Sequence, residues 1–385
     1  MADKFTFSAG TDLPEIHESI VPEIAYITRH ESPLLTLVGF PRVGKCTNIK
    51  HEWLEEALRP NAGTVSGAQT DVDTAVELAT GHGARFAAGD ILQVDGSREL
   101  ISVTTIATDT LTVVRGIRGT TKTAIVDGAT IKRMNNPAIE NETAPGGVNV
   151  NRVRRANYTE IFRGVASVTR SAQKVNMIGV DDEMAHQIML CKRDRIRDLA
   201  HTVINGKKQS ANPEGTTVQA RTMDGIIQSI LGGADAAIVD AGGAVLTEDI
   251  LNTLLEDMFG KGASPKVLAA PPNQRRALSS LLEGRQRFAP KDKVLGAIVE
   301  TFVSDFGELN VLAPDIFVPG DCILVLDPGK IQVLKLGQTD SEGDPFDVIP
   351  LARTGLAEQQ EVVGEFTLEM QNAQDGGHGL IQNLG

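Results

Sequence analysis

At 385 residues the chain has room for two or three ordinary domains, and 41% of it is apolar, although it holds one Trp and two Tyr. A formal charge of −13 excludes a protein that coats nucleic acid by neutralising its phosphates. Cys46, Cys191 and Cys322 are too few and too scattered for a disulfide framework or zinc cluster, and no apolar run reaches the length of a leader or membrane span, so a soluble protein of a reducing cytosol is expected.

Residues 1 to about 33 are polar and punctuated by Pro14, Pro22 and Pro33, with one short amphipathic turn around Ile16 to Ile20. They read as an arm that needs another surface to lie on. The apolar run from Leu34 to Val38 leads into GFPRVGKCT, Gly39 to Thr47. Gly39, Gly44 and Lys45 fit the phosphate-loop pattern G-x-x-x-x-G-K-[ST], but Cys46 stands where a hydroxyl should ligate magnesium. A thiol is a poor ligand for a hard cation. Thr47, Ile49, His51 and Trp53 alternate with Asn48, Lys50 and Glu52, a period of two where the phosphate loop needs a helix. The segment therefore reads as a strand, a turn at Pro41 to Gly44 and a second strand. Trp53 to Asn61 suits a helical turn or an irregular segment ended by Pro60.

Residues 84–134 read as a compact all-β insert. Its strands are Ile91 to Val94, Glu99 to Ala107, Leu111 to Arg115 and Ala129 to Met134, with hairpin turns at Asp95–Gly96 and Asp127–Gly128. The flanks at 61–81 and 135–151, rich in Gly, Thr, Asn and Pro, read as linker. Asn151 to Lys174 carries Arg152, Arg154, Arg155, Arg163, Arg170 and Lys174 against Glu160 alone, and suggests an extended, charged hairpin arm. Its arginines suit DNA or phosphate, or salt bridges to an acidic neighbouring subunit; the acidity of the whole chain favours the second.

The strongest helix signal comes next. Asp181, Asp182 and Glu183 suit a helix N-terminus, Met184, Ile188, Cys191, Ile196, Leu199, Val203 and Ile204 form a stripe, and Asn205–Gly206 ends it. Such a helix would run roughly 36 Å. From 220 to 340 helices and strands alternate. Thr247 caps a helix with Ile250, Leu251, Leu254, Leu255 and Met258 inward, Lys266 to Ala270 is a buried strand, and Gln274 to Leu282 is helical. Val299 to Val303, Leu309 to Ala313, Cys322 to Leu326 and Ile331 to Leu336 are strands, the last two joined as a hairpin by Pro328–Gly329–Lys330. One or two strands occupy 345–370, and the Gly- and Asn-rich tail from Gln371 reads as mobile.

No catalytic constellation emerges. The seven histidines are scattered, and His186 and His201 are too far apart on their helix to share a metal. DSEGDPFD, Asp340 to Asp347, lacks calcium-loop spacing, and helix capping accounts for Asp181 to Glu183. Catalytic, cofactor-binding and metal residues are thus expected to be absent.

The order of these pieces resembles the tailed-bacteriophage major capsid proteins of Hong Kong 97-type fold, in their SU-ten-like branch. EWLEEALRPN, the insert segment LTVVRGIRGTTKTAIVDGATI, the run FVSDFGELNVLAPDIFVPGDCILVLDPGKIQVLKL and the closing TGLAEQQEVVGEFTLEMQN carry it, over nearly the whole chain. The resemblance implies an α+β fold. Residues 1–50 would be an N-terminal arm, 51–175 an E-loop enlarged by the β insert, 176–217 and 341–385 a peripheral domain with a long spine helix, and 218–340 an axial domain. It implies copies joined as hexamers and pentamers into an icosahedral shell around double-stranded DNA, which is confined without sequence-specific binding. Portal and scaffolding or decoration proteins would be partners, no cofactor or membrane would be involved, and assembly would occur in the host cytoplasm. Trp53, Arg115, Arg118, Arg152, Arg154, Arg155 and Arg163 are the candidate inter-subunit contacts. Other readings are a tail or decoration protein, a nanocompartment shell sharing the fold, a carboxylate hydrolase, and a phosphate-loop NTPase at Gly39 to Lys45.

Overall fold

A computed structural model describes residues 32–40, 43–56, 60–138, 140, 152–175, 182–233, 235–282, 300–337, 345–353 and 355–385. The expected arm up to residue 31 with its turn at 16–20, Pro41 and Arg42, most of the linker at 135–151, Asp181, and residues 340–344 of the carboxylate loop lie outside the described residues.

The chain begins with α1 (Pro33–Leu37), β1 (Gly44–Cys46) and β2 (Lys50–Glu55). Then come β3 (Ala62–Thr64), β4 (Ala75–Glu77), β5 (Ile91–Val94), β6 (Leu100–Ala107), β7 (Thr110–Val114) and β8 (Thr130–Asn135). β9 (Val153–Tyr158) and β10 (Glu160–Thr169) precede the long helix α2 (Glu183–Asn205). Next are α3 (Ile226–Leu231), β11 (Ala237–Asp240), α4 (Glu248–Gly260), β12 (Val267–Ala269) and α5 (Pro272–Leu282). β13 (Glu300–Ser304), β14 (Gly307–Val311), β15 (Ile323–Leu326), β16 (Ile331–Leu336), β17 (Asp347–Pro350), β18 (Ala357–Met370) and β19 (Gly379–Gln382) complete it. Two compact units result: Met1–Trp53 with Arg154–Gly385, and Leu54–Val153.

The first unit holds two large sheets. One runs β1-β16-β18-β10, with β17 also on β18. Alternation along β18 and β10 turns Val362, Phe366, Leu368, Phe162, Ala166 and Val168 inward. α2 lies on that face, and Gly164 of β10 permits its approach, because a Cβ there would come within 2.6 Å of Cys191 Sγ. The α2 start is as expected: the Asp182 carboxylate accepts from Met184 N–H (3.0 Å) and Ala185 N–H (3.3 Å). Leu199, Ala200, Val203 and Ile204 are buried in the main core, with Ile188, Cys191 and Ile196 partly buried against it. The second sheet runs β11-β19-β15-β12-β14-β13. α4 buries Leu251, Leu254, Leu255 and Met258 there, after a cap in which Thr247 Oγ1 accepts from Ile250 N–H (3.3 Å).

Several expectations are corrected. Residues 34–37 of the apolar run are helix, not strand, with Val38 as the C-cap: Ser32 Oγ accepts from Leu35 N–H (3.1 Å) and Pro33 stands at the first helical position. β2 continues through Glu55, the first part of the stretch expected as a helical turn or irregular segment, because it pairs with β9; residues 57–59 of that stretch lie outside the described residues. β9 and β10 are not a hairpin: β10 pairs with β18 along its full ten residues. Residues 328–330 do not join a hairpin either, since β15 and β16 belong to different sheets, and Asp327 caps that crossing by accepting from Gly329 N–H (3.2 Å). The tail is ordered. Asn372 and Gly376, both at positive φ, form a return loop that delivers β19 between β11 and β15. Gly379 lets β19 lie flush on α4, where a Cβ would meet Met258 Sδ at 2.6 Å.

The second unit is larger than the insert expected at 84–134. The supposed linker at 61–81 supplies β3 and β4 to a six-stranded sheet of order β3-β8-β5-β6-β7-β4. Its ends meet through a bridge between Val65 and Leu78, with Ser66 N–H donating to Glu77 O and Ala79 N–H to Thr64 O, both 2.9 Å. The sheet therefore closes into a small barrel, filled by residues such as Leu92, Ile101, Leu111 and Ile131. Asp95–Gly96 turns β5 into β6 as expected. Asp127–Gly128 turns the chain into β8 but joins no hairpin, because Ile125 bridges Gln69.

Candidate functional site

The phosphate-loop segment is resolved by its backbone. Residues 44–46 are a strand parallel to β16, with Lys45 exposed and Cys46 buried. A bend and β2 come after it, so no helix N-terminus stands behind Lys45 to cradle a phosphate. Burial, and next the Glu365 charge, push the Cys46 thiol up. Cys322 is pushed up to about 12 by burial and by Asp321. Alkylation at pH 8 should therefore leave Cys322 unlabelled in the folded protein and label it fully in denaturant, as read by peptide mass.

The candidate contact residues separate into two groups. Arg115 is turned inward. Its Nε and Nη2 donate to the two Glu99 carboxylate oxygens at 2.7 Å each, Nη1 donates to Thr70 O (3.0 Å), and Nη2 also donates to Thr123 O. Glu99 accepts in addition from Gly116 N–H (3.1 Å) and Thr123 N–H (2.8 Å). Burial would raise the Glu99 carboxyl; the hydrogen bonds from Arg115 and Thr123, with the Arg115 charge, outweigh it and hold it below the ordinary carboxylate value. The stretch VVRGIRGT, Val113 to Thr120, thus builds the barrel, with Gly116, Arg118 and Gly119 at positive φ making its turn. Arg115, one of the candidate contacts, is thus engaged within its own chain. Glu99, read from sequence only as the start of a strand, is the residue that was missed.

The others lie outward. Arg118 is exposed. Arg152 reaches Glu56 (3.2 Å), Arg154 reaches Glu52 (3.6 Å) and Arg163 reaches Glu361 (3.5 Å), each arginine side chain about two-thirds exposed or more. Arg155 is less open and meets Asp375 (3.5 Å). Such surface pairs contribute about 0–1 kcal/mol, so they exchange partners at little cost.

Trp53 is half-buried, its ring 5.9 Å from that of His51, and His51 Nε2 lies 2.9 Å from Glu369 Oε2. The His51 hydrogen bond chiefly holds the Glu369 carboxyl below its ordinary 4.5, against the effect of burial. A depressed carboxyl contributes stability above its unfolded value and loses it as the pH falls through the folded one. Thermal unfolding should thus show wild type more stable than Glu369→Gln at pH 6, with the two converging as the pH drops below about 4.5.

Among the described residues no cluster of His, Cys, Asp or Glu is disposed to hold a metal, and no described helix is long and apolar enough to cross a membrane. Buried polar groups serve the fold instead. Asp315 accepts from Ser32 Oγ, Leu34 N–H (3.3 Å) and Phe317 N–H (2.9 Å), and Asn157 donates to Asp224 O and Leu368 O, both 2.9 Å.

Solved structures share this architecture along their full length. The chain is similar to the capsid asymmetric unit of cyanophage A-1(L), with a TM-score of 0.55, 11% identity, and 98% of this chain and 99% of that one covered. It is similar to a structure from Mycobacterium phage Adephagia at a TM-score of 0.50 and 10% identity, covering 99% and 98%. A structure from Mycobacterium phage Cain gives 0.50 and 9%, covering 99% of both chains. These likenesses bear out the α+β shell fold of Hong Kong 97 type. No curated protein matches. Residues 2–385 match the family described as SU10 major capsid protein, and with all but the first residue accounted for, the chain belongs to that family.

Proposed function

We propose that copies of this chain assemble as hexamers and pentamers into the icosahedral head shell of a tailed phage, enclosing double-stranded DNA. The family match over residues 2–385 carries this reading. The charge of −13 supports it, because a shell should confine packaged DNA without gripping it. In this reading the protein is not an enzyme, works within the virion after assembly in the host cytoplasm, and meets portal and scaffolding or decoration proteins. α2 with the β1-β16-β18-β10 sheet would be the peripheral domain, the β11-to-β13 sheet with α4 and α5 the axial domain, and the barrel the insertion in the E-loop. These roles track the sheets, so β1, β10 and β16 join the peripheral domain from the arm, the E-loop and the axial domain, and β19 passes to the axial domain. Trp53, Arg115, Arg118, Arg152, Arg154, Arg155 and Arg163 are the candidate contacts between copies, best supported where the side chain is open to solvent and least at the buried Arg115.

Electron microscopy of the concentrated, purified protein, with sedimentation velocity, tests the reading. Closed shells or rings of five or six subunits are expected. A monomer at every concentration, with or without its virion partners, would count against it.

A further inference from the structure

In the first unit, residues 327–330 carry the chain from β15 in one large sheet to β16 in the other, and residues 371–378 carry it back from β18 to β19. Both passages meet at His378, which is 0% exposed. Its Nδ1 accepts from Asp327 N–H (3.2 Å) in the first passage, and its Nε2 donates to Gln371 O (3.1 Å) at the start of the second. Gln371 N–H in turn donates to Lys330 O (2.9 Å). The ring therefore ties the two passages together just ahead of β19, the strand that lies between β11 and β15.

This pattern fixes the proton. A ring that accepts at Nδ1 and donates at Nε2 is neutral imidazole in its Nε2–H form. Imidazolium has two donors and no acceptor, so it would set a second N–H against Asp327 N–H and leave that buried amide unpaired. Burial also disfavours the charged ring. The charges on the segments around it are largely matched. Asp327 pairs with Lys266 (3.3 Å), Asp375 with Arg155 (3.5 Å), and Lys261, beside the loop at Gly376, with Asp257 (2.7 Å). Lys330 adds a cation to the first passage, and Glu369, which accepts from Gln371 Nε2 (2.7 Å), pairs with His51.

We infer that His378 is a proton-sensitive clasp: neutral, it holds the return loop and β19 in place, and protonated, it releases Asp327 and loosens both passages. The clasp belongs to the single chain and does not depend on assembly. Linkage gives the sign. The ring is neutral in the closed form and free to take a proton once released, so falling pH favours release. With the ordinary histidine value of about 6.5 for the freed ring, the opening equilibrium should rise about tenfold between pH 7.5 and 5.5. His51 works the other way, because its protonation strengthens the pairing with Glu369.

Amide hydrogen exchange of the full chain, read by mass spectrometry and corrected for the intrinsic effect of pH on exchange, tests the clasp. Protection over residues 323–331 and 371–382 should fall about tenfold from pH 7.5 to 5.5, while the barrel strands at 91–107 keep theirs. His378→Asn keeps an acceptor at the Nδ1 position and cannot take a proton, so protection of these segments should not vary with pH in that variant. Undiminished protection of wild type at pH 5.5, or the same fall in the folded variant, would overturn the clasp. Should the variant fail to fold, wild type alone decides. Deuteration of the His378 ring carbon between the two nitrogens should follow pH with the same midpoint as the loss of protection, and a different midpoint would overturn the proposal.

Discussion

Arg115→Ala should unfold the β barrel while the first unit keeps its structure. The guanidinium and the Glu99 carboxylate are both buried, their side chains 1% and 0% exposed, and they satisfy each other along two parallel hydrogen bonds. Removing one partner strands a buried charge, which costs about 3–5 kcal/mol. A domain has only about 5–15 kcal/mol in total, so this is a large share. The loss extends beyond the pair, because Arg115 also ties down the carbonyls of Thr70 and Thr123. Replacing both partners, Arg115→Met with Glu99→Leu, should restore part of the stability, since no unpaired charge remains. Arg118→Ala, three residues on and exposed, should change stability by less than about 0.5 kcal/mol. Hydrogen exchange read by mass spectrometry over residues 60–138 separates these cases. Wild-type protection across the strands of Arg115→Ala would show that the pair is not what holds the barrel.

Ending the chain after Met370 should abolish folding of the second sheet in the first unit. β19 is an interior strand there, parallel to β11 and antiparallel to β15. Its removal would leave two facing edges unpaired and the α4 face uncovered. Leu380, Ile381 and Leu384 are all buried, and burying each such side chain contributes about 1.5–3 kcal/mol. Together with the lost ladder, this approaches the stability of the whole lobe. The truncated chain should collect in the insoluble fraction or expose its core to a hydrophobic dye. Ile381→Ala, a milder lesion, should cost about 2–5 kcal/mol in denaturant unfolding. A soluble truncated chain with a wild-type melting curve would mean that β11 and β15 close the gap unaided.

These two sites also mark where sequence reading reached its limit. Local signals were legible: the Asp182 and Thr247 caps, the apolar stripe of α2, and the strands from Ile91 onward arise from residue types a few positions apart. Strand partners are set by distant residues. β9 and β10 are consecutive and charged, as a hairpin would be, yet one pairs with β2 and the other with β18. The glycines and asparagines after Gln371 look like a loose end, and they do form a loop. That loop leads into Ile381 and Leu384, which pack in the core around α4 more than a hundred positions earlier, and into Leu380, which faces the other core. Arg115 carries a surface residue's chemistry, and the carboxylate of Glu99, just ahead of β6, with the carbonyls of Thr70 and Thr123, turns it inward. The shell-protein resemblance was carried by the order of the segments, while no single candidate contact residue could be read for burial.

The closed seam of the barrel has a consequence for crowding. In a shell, identical inserts would be held at high effective concentration by the assembly of their chains. An open six-stranded sheet repeated at that density would offer every neighbour a matching edge, and head-to-tail pairing of identical edges has no natural end point. Among the described residues, the two hydrogen bonds from Ser66 and Ala79 across the seam close the edges of β3 and β4 on each other. In a shell, copies closed in this way would be insulated from one another, and fibre growth would not compete with orderly lattice closure.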